Sequence, residues 1–496
     1  MQAQELRKLK SGTDVRGTAV ATKSKITLTD EAITAVVKAF IKWLSLKTGK
    51  ANFKIALGND SRISAERVVT AAKNAILSCG SDVLYTGLSS TPSMFILLKK
   101  SNFGCDASIM VTASHLPFDR NGLKFFTPDG GLDGKDIDEI ITIAEKGDFL
   151  SGEGVYSERS FMDEYSQILV ETVEDACGVL PLKNKKIIVD AGNGAGGFFA
   201  KKVLVPLGAD VHGSQFLEPD GYFPNHIPNP EDKTAIESLA NAVKREKADL
   251  GIIFDTDVDR AACVDENGGE INRNALIALC SAILLKDKKG VIVTDSVTSD
   301  GLTEFIENLG GTHLRFKRGY KNVIDKCVEL NESGIYSPLA IETSGHAAFK
   351  ENYYLDDGAY LITKILICLS RQAKYGKSLT ELISSLKRPV EEDEVRISFN
   401  ENSADFKKEG ASVIEDLKKF AQTDKDTALA PDNYEGVRIK LKGGWILVRM
   451  SVHDPVMPIN FESDIKGGNK QAAKKLLKVL EAYHFLNVQN LKNFTL

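Results

Sequence analysis

Three short, fully apolar runs, each followed by a helical pattern, dominate the first four hundred residues. They lie at 54–60 (KIALGND), 185–190 (KKIIVD) and 290–296 (GVIVTDS). A run that is apolar on both faces predicts a strand buried between two layers, and alternation with helices predicts parallel α/β layers. The pattern therefore predicts three related α/β domains.

The last hundred residues follow a different pattern. After the charged stretch 388–394, apolar Val437, Ile439 and Leu441 alternate with charged residues, and 445–450 can pair back across Gly443 and Gly444. This alternation predicts a hairpin in an antiparallel sheet. Apolar positions at helical spacing over 470–486 predict a helix that covers this sheet. We therefore expect a smaller C-terminal domain made of an antiparallel sheet with helices.

A chain of 496 residues has room for three to four domains at roughly 150 residues each. We place them at 1–165, 166–280, 281–390 and 391–496. The longest apolar run, 275–285, is too short for the roughly 20 residues that span a bilayer, and the first residues lack a signal-peptide pattern. We expect no membrane segment.

Composition and charge exclude further classes of function and site. A net charge of −5 does not indicate a nucleic-acid-binding surface. The seven cysteines show no CxxC spacing, so neither a zinc site nor a disulfide framework is predicted, and a cytoplasmic location is expected.

Three carboxylates follow a buried strand in the second predicted domain. Asp255, Asp257 and Asp259 come directly after the apolar run 250–254. Alternate carboxylates on one loop form a hard oxygen cage, and their mutual repulsion favours a cation, most naturally magnesium. An acidic turn solvated at the end of a sheet is the alternative.

A serine lies on a loop rich in polar and cationic residues at 111–126 (VTASHLPFDRNGLKFF). Ser114 and His115 are sequence neighbours, which rarely have the geometry of a nucleophile and its base. An exposed hydroxyl near cations instead suits a serine that carries a phosphoryl group. An ordinary strand-turn-strand hairpin remains the alternative for this segment.

The pairing of 112–124 (TASHLPFDRNGLK) with 255–260 (DTDVDR) resembles the α-D-phosphohexomutase family. Further matching motifs lie at 11–17 (SGTDVRG), 58–62, 218–230 (EPDGYFPNHIPNP) and 342–346 (ETSGH). The resemblance implies four domains, the first three α/β and the last a smaller sheet with helices.

The resemblance also implies roles for individual residues. Ser114 would carry the phosphoryl group and, with Asp255, Asp257 and Asp259, would bind magnesium. The other catalytic positions are Arg16 and Arg260, which line the site, and Lys124 and His346, which match the general acid or base. The substrate-binding positions are Lys317, Glu342, Ser344, Arg449, Ser451 and His453.

The implied activity moves a phosphoryl group between C1 and C6 of a hexose phosphate through phospho-Ser114 and a sugar 1,6-bisphosphate. The protein would be a monomer or a homodimer. One departure concerns the fourth domain, where 449–455 (RMSVHDP) replaces a loop that in the family resembles RxSGTEP. Val452 and His453 remove side-chain donors, and this weakens the inference of substrate. We favour glucose and mannose phosphates over glucosamine phosphate.

Three alternatives stay open at this point. Residues 192–197 fit GxGxxG, with Asp210 near the spacing of a ribose-binding acid, as in a nicotinamide-dependent dehydrogenase. The DxD at 255–257 also fits a haloacid-dehalogenase-like phosphatase. A mutase-like binding or regulatory protein is the third. Outside these motifs, His212, His226, His313 and His484 are expected to be surface or packing residues.

Overall fold

A computed structural model describes residues 3–401, 403, 405–451 and 454–496. Its first sheet has eight strands in the order β1-β2-β6-β5-β3-β4-β8, with β7 paired to β6. The strands are β1 (Lys10–Ser11), β2 (Asp14–Thr18), β3 (Lys54–Asn59), β4 (Asp82–Leu88), β5 (Ala107–Val111), β6 (Arg120–Thr127), β7 (Gly130–Gly131) and β8 (Tyr156–Glu158). The helices are α1 (Ala3–Arg7), α2 (Asp30–Thr48), α3 (Ala65–Leu77), α4 (Thr91–Lys100) and α5 (Gly134–Lys146).

The second sheet has four strands in the order β12-β11-β10-β9. Its strands are β9 (Ile187–Asp190), β10 (Leu250–Phe254), β11 (Ala261–Asp265) and β12 (Glu270–Ile271), and its helices are α6 (Met162–Cys177) and α7 (Lys233–Glu246). Strand β10 is parallel to β9 and antiparallel to β11. The loop between β10 and β11 is therefore a tight hairpin connection.

In the next segment, β13 lies between β14 and β15 and is parallel to both. The strands are β13 (Val291–Thr294), β14 (Thr312–Arg315), β15 (Leu339–Ile341) and β16 (Ala347–Phe349), and the helices are α8 (Arg273–Leu285), α9 (Asp300–Asn308), α10 (Tyr320–Glu332) and α11 (Gly358–Ala373).

The last sheet is antiparallel throughout, in the order β18-β19-β20-β21-β17-β22. The strands are β17 (Glu391–Phe399), β18 (Thr427–Leu429), β19 (Val437–Leu441), β20 (Gly444–Val448), β21 (Val456–Ser463) and β22 (Leu486–Asn487), and the helices are α12 (Phe406–Thr423), α13 (Gly468–Leu480) and α14 (Gln489–Thr495). One apolar core joins the inner face of this sheet to its helices.

The chain forms two compact units. The first comprises Met1–Leu276 and Ser344–Glu381, and the second comprises Ile277–Thr343 and Leu382–Leu496. The predicted fold class, three α/β domains and a smaller antiparallel domain with helices, is confirmed. The boundaries near 165, 280 and 390 stay predictions. Over the described residues, no helix has both the length and the apolar character needed to cross a bilayer.

Two details differ from the sequence-based expectations. The first two sheets are mixed rather than purely parallel, because the strand pairs β5–β6 and β10–β11 are joined by short hairpin loops. The helix predicted over 470–486 is α13, which ends at Leu480, and Leu486 instead pairs in β22 with Phe399 of β17.

Candidate active site

The serine loop is the hairpin connection that follows β5. Ser114 is buried and has a left-handed backbone, with φ of 53°. Its N–H donates to Thr112 Oγ1 at 2.9 Å. The Arg62 guanidinium donates to the carbonyl oxygens of Ser114, Leu116, Pro117 and Arg120, which follow one another around the turn. A single buried arginine therefore holds the shape of the whole loop.

The acidic loop is the hairpin connection between β10 and β11. Asp255, Asp257 and Asp259 are all buried, and each offers an oxygen that lies within 4.8 Å of those of the other two. Val258, between two of them, has φ of 68°. This conformation is unfavourable for a β-branched residue, and such strain clusters at functional sites.

The structure brings the serine loop and the acidic loop together. Ser114 Oγ–H donates to Asp255 Oδ2 at 3.0 Å. Arg260 contacts both groups, with Nη2 3.3 Å from Ser114 Oγ and Nε 3.1 Å from Asp255 Oδ2. The hydroxyl of Ser114 thus lies at the edge of a buried carboxylate cluster, with a guanidinium beside it.

The carboxylate cluster fits a divalent cation. Burial and the neighbouring carboxylates raise the pKa values of Asp255 and Asp257. Burial also opposes ionisation of Asp259, but Lys124, His346 and Arg260 outweigh it and lower the pKa of that carboxyl. Within the described residues, Asp257 Oδ1 and Asp259 Oδ1 are buried without a hydrogen-bond partner. Hard oxygen ligands that lack a hydrogen-bond donor in this way suit Mg²⁺.

The predicted cationic residues of the first domain lie at this cluster. Lys124 Nζ is 2.9 Å from Asp259 Oδ2 and 3.9 Å from Asp14 Oδ2. Arg16 donates to Asp14 Oδ2 through Nη2 at 2.6 Å. Strand β6 carries Lys124 and the adjacent β2 carries Arg16, which explains their proximity.

His346 also lies beside the acidic loop. Its Nδ1 is 2.5 Å from Asp356 Oδ2 and 3.8 Å from Asp259 Oδ1. Burial opposes protonation, but Asp356 and Asp259 outweigh it and raise the pKa of His346 to about 9.

His115, by contrast, is a neutral neighbour of the serine. Its Nδ1 is 3.3 Å from Ser114 Oγ. Burial, together with the positive charges of Arg260 and Arg16, lowers its pKa to about 2.

The predicted sugar-contacting residues divide between the two units. Glu342 belongs to the second unit, where it is buried and its Oε1 accepts a hydrogen bond from Gly319 N at 2.6 Å. Lys317 is exposed in the same unit, next to that turn. Ser344 is buried and begins the returning segment of the first unit.

The predicted phosphate-binding loop lies in the second unit. Arg449 is largely buried, and its Nη1 is 3.9 Å from Glu435 Oε1. Ser451 N donates to Val456 O at 3.0 Å, and Ser451 Oγ accepts from Asp454 N at 3.2 Å. His453, which we predict to bind substrate, lies outside the described residues, as does its neighbour at 452.

Several residues of the site carry no role in the sequence-based prediction. Asp14 pairs with Arg16, Asp356 pairs with His346, and Asn229 Oδ1 accepts from Arg260 Nη1 at 3.3 Å. Asp14 and Asn229 belong to the motifs at 11–17 and 218–230 that sequence analysis found, so for these two residues the signal was present. Arg62 is the same case, because it ends the motif at 58–62 and its contacts are to backbone carbonyls that no side-chain pattern reveals.

Three family models match successive parts of the chain. They are described as phosphoglucomutase/phosphomannomutase alpha/beta/alpha domains I, II and III, and they match residues 7–151, 163–269 and 272–389.

Whole-chain similarity agrees with these matches. A phosphoglucomutase from Neisseria gonorrhoeae is 30% identical over 92% of this chain and 94% of its own length. A phosphomannomutase/phosphoglucomutase from Pseudomonas putida is 31% identical over 83% of this chain and 84% of its own. The crystal structure of a phosphoglucomutase/phosphomannomutase family protein from Burkholderia thailandensis superposes with a TM-score of 0.81 at 26% identity, covering 97% of this chain and 98% of that one.

The fold and the site together define a phosphoryl-transferring enzyme with three α/β domains and a smaller fourth domain. The chain belongs to the phosphoglucomutase/phosphomannomutase family, the α-D-phosphohexomutases. It is accordingly an isomerase that acts as an intramolecular phosphotransferase. This membership removes the dehydrogenase and haloacid-dehalogenase alternatives.

Proposed function

We propose that this enzyme moves a phosphoryl group between C1 and C6 of a hexose phosphate through phospho-Ser114 and a hexose 1,6-bisphosphate. The observation that carries the proposal is the position of Ser114 Oγ, 3.0 Å from a carboxylate of the buried acidic cluster and 3.3 Å from Arg260 Nη2. A serine placed between a cation-binding cluster and a guanidinium suits a group that is phosphorylated and dephosphorylated in turn.

In the proposed first half-reaction, the bond between phosphorus and Ser114 Oγ breaks as a bond forms from phosphorus to the free hydroxyl of the sugar. The hydroxyl proton passes to a base, and Ser114 leaves as an alkoxide that is stabilised by its surroundings. The bisphosphate then turns around and returns its other phosphoryl group to Ser114. Such transfer depends on in-line positioning and charge neutralisation.

Four groups on this chain serve the transfer in our proposal. Arg16 and Arg260 neutralise charge on the phosphoryl oxygens. Lys124 and His346 are the candidates for holding and returning the sugar-hydroxyl proton, and both lie against Asp259. The roles of Lys124 and His346 require that one of them be unprotonated when the sugar hydroxyl is deprotonated.

Magnesium is the proposed cofactor, held by Asp255, Asp257, Asp259 and Ser114. When bound, it would withdraw electrons from the phosphoryl group and offset the negative charge of the cluster. The buried Oδ1 atoms of Asp257 and Asp259, which lack a hydrogen-bond partner among the described residues, support this assignment.

The proposed substrates are glucose and mannose phosphates, with the 1,6-bisphosphate as activator. We propose Lys317, Glu342 and Ser344 as sugar contacts and Arg449, Ser451 and His453 as ligands of the phosphate that does not react. A monomer or homodimer in the cytoplasm, where free cysteines persist, completes the proposal.

The test is a coupled assay of purified protein with Mg²⁺ on glucose 1-phosphate, mannose 1-phosphate and glucosamine 1-phosphate, each primed with its bisphosphate. Ser114→Ala is compared with Ser78→Ala, which removes a hydroxyl bonded to Ala75 O at the C-terminal end of helix α3, outside the serine loop. We expect Ser114→Ala to abolish interconversion and Ser78→Ala to retain it.

Intact-mass spectrometry after exposure to the bisphosphate provides the second readout. A gain of one phosphoryl group in the wild type and in Ser78→Ala, absent in Ser114→Ala, supports the phosphoserine. Full activity in Ser114→Ala would refute it. Inactivity of the wild type on all three sugars would indicate that the altered 452–454 segment has changed the ligand.

A further inference from the structure

Thr91, the first residue of helix α4, contacts an acidic-loop residue 166 positions later in the chain. Its backbone N–H donates to Asp257 O at 2.8 Å, and its hydroxyl donates to Asp257 Oδ2. Both residues are buried in the first unit. Helix α4, which belongs to the domain of the first sheet, thus holds a carboxylate from the loop between β10 and β11 of the second sheet.

The start of helix α4 is a rigid support for this contact. Ser90 Oγ accepts a hydrogen bond from Ser93 N at 3.3 Å, and Ser93 Oγ accepts one from Ser90 N at 3.1 Å. This reciprocal capping arrangement satisfies helix-terminal donors, and Pro92 restricts the backbone of the same turn. The hydroxyl of Thr91 therefore projects from a segment with little conformational freedom.

The two oxygens of Asp257 have different surroundings. Oδ2 accepts the Thr91 hydroxyl, whereas Oδ1 is buried without a hydrogen-bond partner among the described residues. The positive end of helix α4 also favours the ionised carboxylate. One oxygen is held in place and the other is left for a ligand, which is the arrangement that outer-sphere hydrogen bonds give to metal-binding carboxylates.

We propose that Thr91 is a positioning residue of the metal centre: its hydroxyl orients Asp257 and thereby sets the affinity of the acidic cluster for a divalent cation. The inference rests on the proposed magnesium site. Thr91 has no catalytic role of its own, and its effect reaches the reaction only through Asp257.

The experiment measures Mn²⁺ binding to the full-length, dephosphorylated protein by the loss of the free-ion EPR signal, with Mg²⁺ affinity obtained by competition. Thr91→Val removes the hydroxyl at nearly constant volume, and Thr91→Ser retains it. Thr86→Val is the matched control, because it removes another buried hydroxyl of the same domain, bonded to Leu57 O and Ser89 Oγ. Asp257→Asn tests the metal site itself.

We expect Thr91→Val to weaken binding by about 10- to 100-fold, while Thr91→Ser and Thr86→Val stay close to the wild type. Circular dichroism of each variant verifies folding, and Thr91→Ala, which also removes the hydroxyl, replaces Thr91→Val in the comparison if that variant fails to fold. Wild-type affinity in Thr91→Val would overturn the inference while leaving the metal site intact. Absence of Mn²⁺ binding in the wild type, or equal binding in Asp257→Asn, would overturn the proposed metal site as well.

Discussion

Two residues of the reactive loops hold backbone conformations that residues with a side chain rarely adopt. Ser114 has φ of 53° and Val258 has φ of 68°, and each such conformation costs about 1–3 kcal/mol. Hydrogen bonds overcome this cost. Thr112 and Arg62 bond the N–H and the carbonyl of Ser114, and Gly358 N donates to Val258 O at 3.1 Å. These hydrogen bonds therefore maintain the two strained backbone conformations.

His226, which sequence analysis expects to be a surface or packing residue, is buried and lies against a carboxylate. Its Nε2 is 3.0 Å from both oxygens of Asp190, and its Nδ1 is 2.9 Å from Ile227 O. Burial alone would lower its pKa, but Asp190, Ile227 O and Asp232 outweigh burial and raise it above 6.5. The structure therefore binds a proton on His226 more tightly than the unfolded chain does.

This pKa shift predicts a pH-dependent stability. Because the folded pKa exceeds the unfolded one, the stabilisation is fully present below about pH 6.5 and is lost as the pH rises through the folded pKa. His226→Gln should remove this contribution. A hydrogen bond to a charged group is worth about 1.5–3 kcal/mol, so the Tm of the wild type should exceed that of the variant by a few degrees at pH 6.

The check is the Tm of both proteins between pH 6 and 9, measured by fluorescence in a Trp445→Phe background, where Trp43 is the reporter. The difference between wild type and variant should shrink steadily as the pH rises. His212→Gln serves as control, because His212 is exposed and its contact with a carboxylate, Asp210 Oδ1, is made by its backbone N–H, which the substitution retains. A difference that stays constant across this range would contradict the prediction.

At the level of elements, the serine loop depends on one side chain from outside it. Arg62 donates to four carbonyl oxygens of the loop and also forms an ion pair with Asp60, 3.3 Å from Oδ2. Lysine in its place would keep the charge but has three donors on one atom rather than a planar fork. It cannot reproduce four contacts spread around a turn.

Arg62→Lys should therefore lower kcat by up to about 100-fold through misplacement of Ser114, with a smaller change in KM. The rate at which the bisphosphate phosphorylates Ser114, measured by intact-mass spectrometry, should fall together with kcat. Arg67→Lys is the matched control, because Arg67 donates to the carbonyls of Ala19 and Leu28 rather than to carbonyls of the serine loop. Equal losses in the two variants would assign the effect to general destabilisation.

Most elements that matter to the site are predictable from the sequence. The apolar runs at 54–60, 185–190 and 290–296 contain β3, β9 and β13, and the predicted hairpin is β19–β20 with Gly444 opposite Leu441. Largely buried strands of this kind leave a strong signal because their central positions carry no polar side chain. Strand direction leaves none, so the antiparallel pair β10–β11 is not predicted, whereas β5–β6 corresponds to the strand-turn-strand alternative for 111–126.

The sequence predicts which residues form the site better than it predicts the contacts between them. Ser114, the three aspartates, Lys124 and His346 carry recognisable chemistry, and the structure places them together. Thr91 and Arg62 are different, because they act through hydrogen bonds to residues far along the chain. A threonine before a proline indicates a helix start, and nothing in the sequence links it to Asp257.

At the scale of the whole molecule, the two tryptophans allow the two units to be observed separately. Trp43 lies in the first unit and Trp445 in the second. The guanidinium of Arg438 lies 3.6 Å from the centroid of the Trp445 ring. Arg438 also donates to Ser296 O at 3.0 Å, Thr298 O at 3.1 Å and Asp300 Oδ1 at 3.0 Å. A buried arginine on β19 thus fastens the antiparallel sheet to the segment that follows β13.

Arg438→Leu should destabilise the second unit by about 2–5 kcal/mol, because two buried carbonyls lose their donors and the cation–π contact is lost. The measurement is urea unfolding in two backgrounds: Trp43→Phe, where fluorescence reports the second unit, and Trp445→Phe, where it reports the first. We expect the midpoint to fall in the first background and to stay unchanged in the second. Arg396→Leu, at an exposed position of the same sheet, should change neither. Equal shifts from both tryptophans would show instead that the two units unfold as one, so that a contact within the second unit also stabilises the one that holds Ser114.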